Sequence, residues 1–430
     1  MITLKPKSLN LSTTEKKTFR LHTLHMLLEG IIDGALLLNE FILIKSLLAS
    51  NYQISFLFQF GVIILLFSVV FNEFIKRAKS KKRLLIWVAI ITRLPLVGLM
   101  FFPSNPEQIM ANPVYPLVFL TVFLFYYLYK PAILPTINLF LRNNYTQQNF
   151  GKLYSYSTSV KKIVVLFVTF GFGLLLDFDN YAFTYIYPIL SIIGILSIYL
   201  LTLIDYIPLQ AQVFSKSVWS SIKAVYKKMV DIIVRNKPYR DFEVGFMFYG
   251  FAWMATAAVI TIFLDKVLHL NYFSISFYKT SYNLIAIVLL PYFGKLIGKI
   301  DPRKFGIYTF AAMLLHLLFL VLANYFPYNV EFLGIKIYLM LVISFVFYGI
   351  FTATMALLWG IGSSYFCKNE DAGDYQSVHL SLVGFRGLIA PVLGIYIFEM
   401  IGYAGTFAIG IVSLLFAMGM MVYSQKKHKL

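Results

Sequence analysis

Of the 430 residues, 59% are hydrophobic and 13% are charged, about half the charged share of an ordinary soluble domain. Apolar runs of roughly 20 residues recur from end to end, each able to cross a hydrocarbon core of ~30 Å as a helix, so the chain is an all-α polytopic membrane protein. The net charge of +18 would suggest nucleic acid in a soluble chain, but here its placement assigns it to membrane topology and excludes a nucleic-acid partner.

The first 20 residues are polar and end in "EKKTFR". The apolar segment that follows has full length and no small-residue cleavage site, so it is read as a retained first span. Twelve spans are expected, at about 21–42, 52–74, 84–102, 113–139, 160–176, 181–204, 242–264, 275–297, 306–325, 337–362, 377–399 and 405–424. Sharp breaks separate several of them, such as "FFPSNPEQIMANP" at 101–113 and "GKLIGKIDPRK" at 294–304.

Assigning the loops alternately puts 30 of the 37 Lys and Arg residues on the side of the termini, including "KRAKSKKR" (76–83) and "KKHK" (426–429). The other side receives Lys45, Lys266, Lys279 and Lys336, while Arg93, Lys130 and Arg386 fall inside spans. Such asymmetry places both termini in the cytoplasm, and a bacterial inner membrane is the expected location. Anionic lipid headgroups are a sufficient partner for the basic side.

The longest connection, 205–240, divides the chain into domains at 1–204 and 241–430. Within it Val218, Trp219, Ile222, Val225, Tyr226, Met229, Ile232 and Ile233 recur at helical spacing, which predicts an amphipathic helix on the inner membrane surface. An offset of 222 aligns Asn72 with Gly294, and "FGKLYS" (150–155) with "AGDYQS" (372–377), as expected of duplicated halves.

Twelve spans, internal termini, a long central linker and paired halves resemble the major facilitator superfamily of secondary transporters. Its loop signature, G-x-x-x-D-R-x-G-R-R, is matched by Gly294 and Lys299, with Gly298 at the acid and Asp301 at the second glycine, and its closing basic pair by Arg303 and Lys304 one residue late. In the first half, "NEFIKRAKSKKRLL" keeps the basic character, with Asn72 for glycine and Lys76 for the acid. The resemblance implies two six-helix bundles rocking around a central cavity lined by spans one, four, seven and ten.

The first span carries His22, His25, Glu29, Asp33 and Glu40, which fall within an arc of ~80° on a helix advancing about 100° per residue. An acid at mid-membrane costs about 2.5–3.5 kcal/mol unless it meets water or a cation. Cations are available in Lys130 of "YYLYKPAILP", Arg93 of "IITRLPLV" and Arg386 of "HLSLVGFRGLIAP". Asp33–Lys130 is the preferred pair, either in a cavity or as a static tie. Glu29 and Asp33 are candidates for proton coupling, and Lys130 and Arg386 for holding an anionic or zwitterionic group. Arg93 is read as structural first, with a substrate-binding or coupling role as the alternative, so that Glu29, Asp33, Lys130, Arg386, Arg93, His379, Trp253 and Trp359 form the candidate set. His379 shares a face with Arg386, which Gly384 and Gly387 flank.

On the remaining polar groups, His22, His25 and, as the simpler reading, His379 are expected to meet water, His316 to be a packing residue, and Glu40 and Glu399 to be solvated near outer ends. Trp253, with Tyr249 and Thr256, and Trp359 stand on spans that the resemblance places at the cavity, as stacking groups or packing. No metal-ligand spacing, nucleotide loop or marked nucleophile appears, and the single Cys367 rules out an internal disulfide and thiolate clusters. The expectation is a monomeric, cofactor-free, non-enzymatic transporter of a small polar solute coupled to protons, with a lipid flippase or amphiphile exporter as the alternative.

Overall fold

The computed structural model describes residues 11–67, 71, 78, 80–206, 218–297, 299–367 and 372–428. Asn72, Lys76 and Gly298 of the loop signature lie outside the described residues. Nine described helical stretches are long and apolar enough to cross a membrane. One of these, Asp374–Lys427, is more than twice the length needed. Among the described residues, each span expected from sequence falls mainly on helix.

Helix α1 (Thr13–Leu36) starts at a reciprocal cap in which Ser12 accepts from the Glu15 N–H and Glu15 accepts from the Ser12 N–H, two of the orphan donors of a helix start satisfied at once. Its path continues through Asn39–Phe41 and a wide turn at Ile42–Ser46. Helix α2 (Asn51–Ile63) repeats the device with Ser50 and Gln53. Helix α3 (Lys81–Arg93) tightens into a 3-10 segment over Leu94–Phe101.

The expected fourth span is two helices, α4 (Val114–Tyr127) and α5 (Lys130–Asn144). The break falls just before Pro131, which has no N–H to donate back to the Tyr127 carbonyl and so suits a helix start. Helix α6 (Gln147–Phe178) begins 13 residues before the expected start of the fifth span, and α7 (Phe183–Thr202) follows.

The linker helix α8 (Val218–Arg235) docks on the second half. Met229 is buried, Ile232 and Ile233 pack against the core, and Lys228 pairs with Asp374. Trp219, Tyr226, Val230 and Val234 stay exposed along one stripe. Then come α9 (Lys237–Lys266), α10 (Tyr272–Ile297) and α11 (Pro302–Tyr325). A hairpin missed by the sequence reading, β1 (Asn329–Phe332) with β2 (Ile335–Tyr338), turns at Leu333 and Gly334. Both turn residues have positive φ, 49° and 75°, the signature of a tight two-residue hairpin. Helix α12 (Leu339–Ile361) and α13 (Ala372–Lys427) complete the chain. The last two expected spans are thus one helical run broken at Gly402, whose φ of 71° suits glycine.

Small residues bring the helices close. Gly30 and Gly34 set α1 against the Lys161 and Val165 carbonyls of α6, and Gly394 sets α13 against the Ala255 backbone of α9. This is the small-residue contact by which helices associate where lipid offers no hydrophobic drive.

Candidate functional site

A cavity of about 340 Å³ lies between the helices before and after α8. Its wall includes Glu40 beyond α1, Tyr127 of α4, Trp253 of α9, Lys279 of α10, His316 of α11 and Tyr348 of α12. Most of the remaining wall is apolar, including Phe58, Met254 and Phe345. Glu40 and Lys279 form an ion pair across the two groups of helices, and Lys279 Nζ also donates to the Leu37 carbonyl at 3.0 Å. His316 is buried, with Nδ1 2.8 Å from Ser344 Oγ, and its ring lies 4.7 Å from that of Tyr348.

Two expectations are corrected here. Glu40 is 8% exposed rather than solvated, because the helical path runs on to Ser46 and carries Glu40 inward. Lys279, counted with the outer loops, sits seven residues into α10, ~10 Å along the helix axis. His316 combines a satisfied packing role with a place in the cavity wall.

Of the eight residues singled out from sequence, Trp253 lines this cavity. The pairing of Asp33 with Lys130 is corrected: Asp33 Oδ2 meets Lys161 Nζ at 2.6 Å. The cause is the close approach of α1 to α6 at Gly30 and Gly34, which carries Lys161 alongside Asp33. By sequence Lys161 stands at the very edge of the expected fifth span, in the basic 142–162 region counted with the cytoplasmic side, whereas it lies 14 residues inside α6. Lys130 Nζ sits 4.6 Å from the Tyr127 ring centroid. Asp33 lies four residues from cavity residue Leu37, and Lys130 three residues from cavity residue Tyr127 across the break between α4 and α5.

Glu29 and Arg93 form a separate buried pair at 3.4 Å. Arg93 is 0% exposed, and its guanidinium carbon lies 4.2 Å from the ring centroids of both Tyr126 and Tyr129. Ser197 Oγ donates to Glu29 at 2.9 Å and lies 2.8 Å from His25 Nδ1. His22 and His25 are therefore buried, at 0% and 3% exposure, rather than at the water interface. Their helix is covered there by α7 and by Tyr145, whose hydroxyl lies 3.3 Å from His22 Nδ1.

In the second half Arg386 is buried and donates to the Phe246 carbonyl. Gly250 makes room for it, since a Cβ there would stand 1.7 Å from its guanidinium carbon. His379 is buried rather than at the water interface, because its Nδ1 lies 3.1 Å from both oxygens of Glu243 and the half-exposed Trp359 packs edge-on against it at 5.9 Å. These three serve contacts within the second half. The four charged residues Glu29, Asp33, Lys130 and Arg386 thus do not converge on one cavity.

Further ties join the two groups of helices near the face opposite the termini. Lys45 pairs with Asp265 at 2.7 Å. Tyr272 carries its hydroxyl 2.8 Å from Ser46 Oγ. Asp177, at the end of α6, accepts the Tyr272 and Phe273 N–H groups at 2.8 and 2.9 Å. An acid of one group thus caps the first turn of α10 in the other. Among the described residues no cluster of three or more His, Cys, Asp or Glu could hold a metal.

The chain superposes over nearly its whole length on solved transporters. NupG, a nucleoside transporter, is 16% identical over 97% of this chain and 100% of its own, with a TM-score of 0.65. A D-xylose-proton symporter is 13% identical over 94% and 97%, with a TM-score of 0.62. The peptide transporter POT is 11% identical over 96% and 94%, with a TM-score of 0.65. A search of curated protein sequences gives no match. At these identities the likeness establishes fold. The family follows from sequence: the model of the Major Facilitator Superfamily matches residues 35–358 and again 244–430, and this chain therefore belongs to that superfamily of membrane transporters.

Proposed function

We propose that the chain is a secondary active transporter that carries a small polar solute, anionic or zwitterionic, by alternating access with proton coupling. Residues 1–204 and 241–430 act as the two moving bodies, with both termini in the cytoplasm of a bacterial inner membrane, as the basic asymmetry of the loops favours. The observation that carries the reading is the cavity between the two groups of helices, where an acid from one meets a base from the other. Glu40, placed where the solute would bind, takes the coupling role first considered for Glu29 and Asp33. Asp33, Lys161 and Lys130 supply a charged layer one turn away on the path to the cavity.

The test uses proteoliposomes loaded with a pH-sensitive dye and challenged in turn with amino acids, nucleosides, sugars and small organic acids. Wild type should move protons with at least one class, and Glu40→Gln, reconstituted to the same level, should abolish that signal. An unchanged proton signal in Glu40→Gln rejects the coupling assignment. An amphiphile exporter is the second reading, favoured by the preponderance of apolar side chains in the wall. Movement of a fluorescent lipid, with no response to polar solutes, would select it.

A further inference from the structure

The chemistry of the cavity narrows the solute class, on the premise that the cavity is the transport site. Its volume, about 340 Å³, lies at the small end of the ~300–1,000 Å³ typical of small-molecule sites. That suits one compact molecule and not a lipid with two chains. The wall carries one acid and one base, Glu40 and Lys279, and they already neutralise each other.

A solute must respect that balance. A simple anion that draws Lys279 away leaves Glu40, 8% exposed, without a cation, and an uncompensated buried charge is strongly unfavourable. A simple cation strands Lys279 in the same way. A molecule carrying both an ammonium and a carboxylate can take the place of each partner at once, and the net charge of the cavity does not change.

The rest of the wall identifies the other end of the molecule. Tyr127, Trp253, Tyr282, Phe345 and Tyr348 contribute aromatic surface, and the Tyr282 and Tyr348 rings meet edge to face at 4.7 Å. Rings arranged so favour another ring, by offset or edge contacts. Thr261 and His316 add uncharged polar groups.

We infer that the solute is an aromatic zwitterion, with its ammonium on Glu40, its carboxylate on Lys279 and its ring among Trp253, Tyr282 and Tyr348. Loading exchanges the ion pair that ties the two groups of helices for two ion pairs to the solute, so occupancy and the loosening of that tie are one event.

The test is a ligand truncation series on the purified full-length wild-type protein, read by thermal shift and titration. L-Phenylalanine, L-tyrosine and L-tryptophan are compared with L-phenylalaninamide, N-acetyl-L-phenylalanine, benzoate and glycine. At least one of the three amino acids should bind saturably and at least tenfold more tightly than every truncated probe. Glu40→Gln and Lys279→Met should each lose that difference. Equal or tighter binding of the amide, the N-acetyl compound, benzoate or glycine overturns the inference, and so does absence of binding by all three amino acids. A proton signal from a sugar, nucleoside or organic acid, with none from the aromatic zwitterions, removes the solute class and leaves the transporter reading in place. Silence from every solute removes both.

Discussion

Arg93 holds a full charge where no solvent reaches it. Its compensation is Glu29 on one side and the faces of Tyr126 and Tyr129 on the others, a site that suits the flat guanidinium and not an ammonium. Removing one member of such a pair costs about 3–5 kcal/mol, whereas replacing both costs much less. Arg93→Met should therefore lower thermal stability sharply, and adding Glu29→Gln should restore most of it; equal loss in single and double variants would refute a pairing role. Glu15 makes a second residue-level case. The Asn149 side chain and the Ser12 and Thr146 backbone groups donate to its carboxylate and hold its pKa down to about 2 from the usual 4.5. A depressed carboxylate contributes stability in full above its unfolded value and loses it as pH falls toward the folded one. The stability gap between wild type and Glu15→Gln should accordingly be full at pH 7 and close between about pH 4.5 and pH 2. The acids on the first helix were visible in the sequence because polar residues stand out in an apolar run. Their partners were not, because Lys161 and Lys279 stand within a few residues of the expected span starts, where a lysine reads as part of the flanking loop.

At the level of elements, close approach decides more than hydropathy. A Cβ on Gly394 would stand 2.0 Å from the Ala255 carbonyl oxygen, a backbone atom that cannot swing aside, whereas one on Gly419 meets nothing within 4 Å. Gly394→Ala should cost about 1–3 kcal/mol by overpacking. Gly419→Ala should be neutral or stabilising by up to ~1 kcal/mol, because alanine favours helix. Melting temperatures of the two variants in one detergent decide this, and matching values would contradict the packing. Helix positions were legible from runs of apolar residues and from breaks such as "FFPSNPEQIMANP" at 101–113, whereas the break before Pro131 sits inside one expected span. The contact faces were not: Gly30 and Gly34 bear a helix-pairing spacing that the search for charged residues passed over. The hairpin at 329–338 was missed because its four-residue strands sit in a connection too short to show alternation clearly.

For the whole molecule, the count of spans and the basic asymmetry were sufficient to reach the superfamily, since both follow from what lipid and membrane potential demand. Which charges face the cavity depends on how two groups of helices meet, and no single helix encodes that. The meeting is secured at the face opposite the termini by Asp177, Tyr272, Ser46, Lys45 and Asp265. Asp177→Ala removes both acceptors from the first turn of α10 and should favour separation at that face. With Cys367→Ser as background, a cysteine at Thr261 in the cavity wall should react several-fold faster with an impermeant maleimide added from that face once Asp177 is Ala. An unchanged rate would place the seal elsewhere. The four tryptophans add a practical consequence. Trp219 and Trp87 are widely exposed and Trp359 is half-exposed against His379, leaving Trp253 as the one indole in the cavity wall. With the other three replaced by phenylalanine, the emission of that single fluorophore becomes a native optical gauge of occupancy, free of any attached label.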